Sequence, residues 1–275
     1  MPELPEVVTV VNALKTEVIG KKIRNVLARD SNFIKEINFF DFQKSIVNAT
    51  IIDIQNRAKH ILIFLDNRKV ILSHLRMNGK YFTYKSPQWG KYDYISFVFF
   101  DNSVLNYNDS RKFGTFMIRD VELLFKTKPL KDLAPEPFFI KVDDFYQKIR
   151  KSTRSIKAIL LDQKIISGLG NIYADEVCFA TKIFPGKTAK LISRKEAELI
   201  IYFSKKILQE SIKLGGSSIS SYTSLNAKEG KFQNFLKVHT KQNFPCSNCQ
   251  TKILKTVIAG RGTYFCSFCQ KLDNF

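Results

Sequence analysis

Apolar residues Val7, Val10, Val11, Leu14 and Val18 recur at intervals of 3, 1, 3 and 4, which lines one face of a helix. Gly20 follows as a stop signal. From Ile23 to about Ile118 the period shortens and β-branched and aromatic residues dominate. Residues 51–54, 61–65, 70–74, 94–100 and 104–107 read as strands, and Asp66-Asn67 and Asp101-Asn102 as hairpin turns. The pattern predicts an antiparallel sandwich or barrel carrying a leading helix, over residues 1–130. A segment with three prolines, 129–137, marks a linker, set at 131–141. Helical patterns follow over 142–151, 154–162, 172–181 and 194–214. Residues 215–231 are rich in Gly and Ser and read as either a mobile loop or a plain connector. They are assigned to the helical domain, 142–237, and residues 238–275 form a third, small unit. There is no internal repeat.

Composition adds a partner to this α+β outline. The 275 residues are 44% hydrophobic and 25% charged, a globular balance with room for two domains. Forty-four Lys and Arg against 25 Asp and Glu give a formal charge of +19. Such an excess points to a polyanion, with nucleic acid ahead of a membrane surface because no lipidation motif or long basic amphipathic helix is present. A bias towards Lys codons would raise the lysine count without explaining the shortage of acids. No stretch reaches the roughly 20 apolar residues of a membrane span, and no signal peptide precedes the first helix. The expected location is the cytoplasm, where five cysteines do not form a disulfide framework.

The cysteines say something more specific. Cys246-x-x-Cys249 and Cys266-x-x-Cys269, 16 residues apart, have the spacing of a four-cysteine zinc ribbon. Four protein ligands close the coordination sphere, so the metal would be structural. Cys178, among Val177, Phe179 and Ala180, reads as a buried apolar residue. Between the two cysteine pairs, Gly260 and Gly262 flank Arg261, which suits a guanidinium projected at a phosphate or a solvated hairpin tip. Ser167-Gly168-Leu169-Gly170-Asn171 opens a helix, where exposed amides bind phosphates or glycines merely make a turn. Residues 148–157 hold Lys148, Arg150, Lys151, Arg154 and Lys157 without an acid, read as a solvated face or a backbone-gripping surface.

The first residues carry the candidate chemistry. Trimming of Met1 before Pro2 would leave a free secondary amine, able to attack an aldehyde-like carbon and form an iminium. Glu3 and Glu6 set two carboxylates within a turn of it. The plainer reading is a helix start, since Pro and acids both favour a first turn. His74-Leu75-Arg76-Met77-Asn78-Gly79 and Asn108-Asp109-Ser110-Arg111-Lys112-Phe113-Gly114 each end a strand and set a large side chain beside a charged one. Met77 and Phe113 are candidates for wedging between bases, or else core residues.

Taken together, the motifs PELPEV, RAKHIL, HLRMNG, SRKFG, PEP, SGLGNIYADE and AGRGTYFC resemble those of the formamidopyrimidine-DNA glycosylases, in order and over the whole chain. The resemblance implies an N-terminal antiparallel β-sandwich with a leading helix, a helix-two-turn-helix DNA-binding domain with a lesion-side loop at 215–231, and a C-terminal four-cysteine zinc finger with one structural Zn2+ per chain. It implies that Pro2 is the Schiff-base nucleophile, Glu3 the proton donor, Glu6 a supporting acid and Lys59 the proton donor in β-elimination. Asn171 and Arg261 resemble phosphate clamps, with Arg261 also serving δ-elimination. Met77, Arg111 and Phe113 match the insertion triad, His74 fits the strand before it, and Lys151 and Arg154 belong to the DNA-binding surface. Three positions depart from the pattern. Val8 stands where a glutamate is common, Tyr92 where a DNA-contacting histidine is often found, and Ala134 where a glycine precedes PEP. The expected protein is a monomeric glycosylase and AP lyase for oxidised purines in damaged double-stranded DNA, which flips the lesion out of the stack. The alternatives are an endonuclease VIII-like enzyme for oxidised pyrimidines, against which Leu4 counts, and a noncatalytic zinc-ribbon nucleic-acid binder, which leaves Pro2, Glu3 and Lys59 unused.

Overall fold

The computed structural model describes residues 1–218 and 223–271, which divide into two compact units. The first contains Met1–Lys131 and Leu214–Lys231. It opens with α1 (Leu4–Val18), whose predicted stripe is buried: Val7, Val10, Val11, Leu14 and Val18 all join the main core. Gly20, at φ +81°, turns the chain out of the helix, and its amide donates to Ile51 O. Then come β1 (Ile23–Ala28), α2 (Phe39–Ile46), β2 (Ile51–Arg57), β3 (His60–Leu65), β4 (Lys69–His74), β5 (Lys80–Tyr84), β6 (Asp93–Phe99), β7 (Val104–Asn108) and β8 (Thr115–Asp120). They form two four-stranded antiparallel sheets, β1-β6-β7-β5 and β2-β3-β4-β8. This is the expected sandwich. Residues from both sheets share one core with α1, among them Ile54, Ile63, Ile71, Phe97, Leu105, Tyr107 and Phe116. β3 reads as an unbroken apolar run because it buries both faces: Ile61 and Ile63 enter that core, while Leu62 lies on the other side, paired with Leu72.

One element within this stretch departs from the β reading. The span 39–46 is helix, started by Asn38, whose side chain accepts the Asp41 amide at 2.8 Å, and held by buried Phe42 and Ile46 four residues apart.

The second unit, Asp132–Lys213 with Phe232–Phe275, contains α3 (Val142–Ile149), α4 (Ile156–Leu161), α5 (Asn171–Ala180), α6 (Arg194–Lys213) and a hairpin of β9 (Leu254–Ile258) with β10 (Arg261–Phe265). Two segments pack against elements of these units. The cysteine-rich segment packs with the helices rather than alone: Val238, Cys246, Ile253 and Cys266 cluster with Phe179 of α5, and the buried Glu176 carboxylate accepts the amides of Lys237, Val238 and His239. The described residues of the 215–231 segment, 215–218 and 223–231, belong to the β-sandwich unit. Ser217 N donates to Glu6 Oε1 at 2.7 Å, and Asn226 exchanges two hydrogen bonds with Thr83 on β5. Cys178 is buried as expected, and burial pushes its thiol pKa up. Among the described residues, no helix is long and apolar enough to cross a membrane.

The sandwich also contains a pH-sensitive pair. His60 and His74 face each other across β3 and β4 with ring centroids 4.6 Å apart, edge to face. Burial first, then the charge of Arg76, lowers the pKa of His60 from 6.5 to about 4. Burial, then His60 and Arg76, holds His74 well below 6.5. The unfolded chain therefore binds protons near pH 6.5 that the fold rejects. Their contribution to stability is fully present above that pH and is lost as pH falls towards 4. The melting temperature is expected to fall across this window, and more gently in His60→Phe; parallel melting curves for the two proteins would contradict the assignment.

Candidate active site

At the start of α1 the two readings of the N-terminal sequence describe the same atoms. Glu3 is the N-cap residue and forms a capping box with Glu6: the Glu3 side chain accepts the Glu6 amide, and Glu6 Oε2 accepts the Glu3 amide at 2.8 Å. Both carboxylates are 2% exposed. Glu6 Oε1 takes the Ser217 amide, so this one carboxylate joins the helix start to the 214–231 segment. The preceding Gly216 has φ +77°, and a side-chain carbon there would lie 3.0 Å from Glu6 Oε1.

Lys59 comes from the two-residue turn between β2 and β3, where Ala58 takes φ +51°. Although it occupies a turn, Lys59 is buried, and that burial lowers its ammonium pKa against the opposing pull of Glu3 and Glu6. The chain's α-amino group feels the same surroundings. Burial lowers its pKa most, Lys59 and Arg111 add to that, and Glu3 and Glu6 oppose it. Met1 is present, so the nitrogen of buried Pro2 is an amide here. What the sequence scattered over residues 2–59 is one cluster: the chain terminus, two carboxylates and a desolvated lysine. A depressed amine pKa enlarges the neutral fraction that can act as a nucleophile.

The turns after β4 and β7 expose their large side chains. Met77 is 39% exposed and Phe113 51%, so neither belongs to the core, and the Arg111 guanidinium lies 5.0 Å from the Phe113 ring centroid. His74 is buried, and its Nδ1 accepts the Arg76 amide at 2.9 Å, which leaves Nε2 as the protonated nitrogen of the neutral ring. Tyr92 is exposed, with the Lys91 ammonium 5.3 Å from its ring centroid, and its carbonyl accepts the Asp109 amide.

In the second unit, Gly168 at φ +95° and the N-cap Gly170 lead into α5, whose first residue is Asn171. Asn171 Nδ2 donates to Gly262 O at 3.0 Å, which ties the helix start to the hairpin residue after Arg261. Ala259 and Gly260, both at positive φ, make that hairpin turn, and Arg261 projects from it exposed. Lys151 is exposed; Arg154 pairs with Asp162 at 2.7 Å.

The basic run 148–157 is not a uniform surface, because its last member points inward. Lys157 is fully buried, and its Nζ donates to Asp175 Oδ1 (2.7 Å), Thr263 Oγ1 (2.8 Å) and Gly262 O (3.0 Å). Asp175 Oδ2 in turn meets His239 Nδ1 at 2.8 Å and the Tyr264 amide at 3.3 Å. The sequence reading missed this network. Its one signal was the spacing of Ile156, Lys157 and Leu160, which sets Lys157 beside the buried face of α4.

Cys246, Cys249, Cys266 and Cys269 bring four sulfurs within 4.8 Å of one another, with the 246–269 pair at 3.9 Å and the 249–266 pair at 3.4 Å. Tetrahedral zinc with Zn–S bonds of about 2.3 Å needs sulfurs about 3.8 Å apart. The donor set fits such an ion, whose contribution with all four ligands from protein is to cross-link the turns of the finger.

Residues 1–116 match the formamidopyrimidine-DNA glycosylase N-terminal domain, residues 133–223 the H2TH domain of the same enzymes, and residues 243–272 the zinc finger found in FPG and IleRS. The formamidopyrimidine-DNA glycosylase of Mycoplasma mobile is 51% identical, covering 99% of this chain and all of that one; that of Listeria monocytogenes is 40% identical, covering 98% and all. A Lactococcus lactis Fpg mutant in complex with Fapy-dG-containing DNA superposes with a TM-score of 0.93 at 37% identity, covering 98% of this chain and 100% of that one. MutM in complex with DNA containing carbocyclic 8-oxo-G gives 0.92 at 37%, with the same coverage. The chain belongs to the formamidopyrimidine-DNA glycosylase family.

The Lys157 network yields a test that separates an inward lysine from a surface one. Lys157→Met keeps the length and leaves the buried Asp175 side chain without its lysine partner. The second unit is expected to lose about 3–5 kcal/mol in urea unfolding. A loss below about 0.5 kcal/mol is what a solvated lysine would give and would contradict the network.

Proposed function

We propose that this protein removes oxidised purines, 8-oxoguanine and formamidopyrimidines, from duplex DNA and then cleaves the strand as an AP lyase. The observation that carries the proposal is the cluster of buried Glu3, Glu6 and Lys59 at the start of the chain, beside buried Pro2. With Met1 removed, the Pro2 nitrogen attacks C1′ of the extruded nucleotide, and the bond to the damaged base breaks as that base leaves with a proton. Glu3 is the proton donor, and Glu6, occupied by two amides, holds the helix start in register. The ring-opened iminium acidifies C2′, so that loss of a proton there expels the 3′ phosphate, and a second elimination expels the 5′ phosphate. Lys59, whose ammonium is weakened by burial, exchanges protons in these steps. Asn171 and Arg261 grip phosphates, and the charge of +19 draws in the polyanion. Complexes of relatives with Fapy-dG DNA, abasic-site DNA and 8-oxo-G DNA support the substrate class. We further propose a cytoplasmic monomer.

Borohydride reduction of the protein mixed with 8-oxoguanine duplex is expected to give a covalent complex. A protein that keeps Met1 or carries an N-terminal tag is expected to give none. Glu3→Gln is expected to slow base excision more than cleavage of a preformed abasic site. Excision of dihydrouracil at the rate of 8-oxoguanine would move the activity to the pyrimidine class, and robust trapping of the tagged protein would move the nucleophile to a lysine.

The same reading includes one structural zinc held by Cys246, Cys249, Cys266 and Cys269. Metal analysis is expected to return one zinc per chain, and Cys246→Ser to lose both the metal and DNA binding as the hairpin bearing Arg261 loosens. Active protein with well under one zinc per chain would refute it.

A further inference from the structure

The turns carrying Met77 and Arg111–Phe113 are far apart in sequence, one after β4 and one after β7, yet side chains tie them together. Asn78 Nδ2 donates to Ser110 Oγ at 2.6 Å, joining the residue after Met77 to the residue before Arg111. Asn78 is buried while Ser110 is exposed. Tyr107 closes the gap from below: a side-chain carbon on either Gly79 or Gly114 would overlap its hydroxyl, so one phenol is packed against the end of both turns. The fully buried Asp109 then shapes the second turn. Its Oδ1 accepts the Arg111 amide at 3.0 Å, and its Oδ2 accepts those of Phe113 at 2.9 Å and Gly114 at 2.8 Å. In the first turn the Gly79 amide returns to Leu75 O at 2.9 Å. Each turn also contains one non-glycine residue at positive φ, Arg76 at +51° and Lys112 at +56°, a conformation that persists only where the surroundings over-determine it.

We propose that these two turns form one mechanical unit, in which Asn78 and Ser110 are positioning residues that fix the separation of Met77, Arg111 and Phe113 before DNA binds. This rests on the glycosylase reading, in which those three side chains fill the gap left by an extruded nucleotide. Three groups entering one opened base step from two independent loops would each lose conformational freedom on binding. Groups already tied together lose less, and the saving appears in the step that opens the duplex. Neither Asn78 nor Ser110 needs to touch DNA for this. The bond between them is a neutral hydrogen bond and Ser110 is exposed, so Ser110→Ala removes it while leaving the sandwich intact.

Amide hydrogen exchange on the free protein tests the coupling without reference to catalysis. Asn78→Ala and Ser110→Ala are each expected to speed exchange at Gly79 and at Arg111, Phe113 and Gly114 by about three- to tenfold. The melting temperature is expected to hold within about 2 °C. Base excision from duplex is expected to fall several-fold in each variant while cleavage of a preformed abasic site holds. The double variant is expected to be no slower than the slower single one, because both substitutions remove the same bond. Faster exchange confined to the substituted turn, or losses that add in the double variant, would overturn the proposal. A wild-type protein that excises no damaged base would count against the glycosylase reading alone, and the exchange data would still decide the coupling.

Discussion

Both oxygens of the buried Glu6 carboxylate are committed to backbone amides, one to Glu3 at the start of α1 and the other to Ser217 in a segment more than two hundred residues away. A carboxylate 2% exposed is costly unless its oxygens are bonded, so neither contact can be given up cheaply. That constraint fixes the position of Glu3, and with it the chain terminus beside Lys59. It also explains Gly216, since a larger residue at φ +77° would press against the same carboxylate. The helix-capping role of the first residues and their proposed chemistry are therefore one arrangement: the cap holds the acids where a terminal amine can use them.

The second unit applies the same device with the charges reversed. Lys157 is desolvated completely and offsets that cost with three acceptors, Asp175, Thr263 and the Gly262 carbonyl. Two of the three lie on the strand that begins with Arg261, so a buried ion pair orients an exposed arginine. Asn171 adds a second donor to the same carbonyl. Cys266, one of the four clustered cysteines, directly follows the far end of that strand.

Much of this was legible in the chain. The stripe of α1, the strands β2–β4, β6 and β7, and the four sulfurs at the finger follow from period and spacing alone, because each is a local pattern. What escaped was decided by distant partners. Residues 39–46 lie inside a stretch read as β-rich, and the Asn38 cap and the burial of Phe42 and Ile46 make them a helix. Lys157 sits in a run of bases that looks solvated, and its partners are 18 and 105–106 positions along the chain. The 214–231 segment joins the β-sandwich through Asn226 and Thr83, which are 143 residues apart. At the candidate site the sequence did not reveal that both Glu6 oxygens would take backbone amides or that one tyrosine would serve two turns.

The central claim is that the reacting group is the nitrogen of Pro2, exposed by loss of Met1 and tuned by the charges packed around it. Its most direct test is to locate the covalent bond. Reduced protein–DNA complex, digested with nuclease and protease and sequenced by mass spectrometry, is predicted to carry the sugar remnant on the N-terminal peptide, at residue 2. A remnant on the peptide containing Lys59, with residue 2 unmodified, would contradict the account.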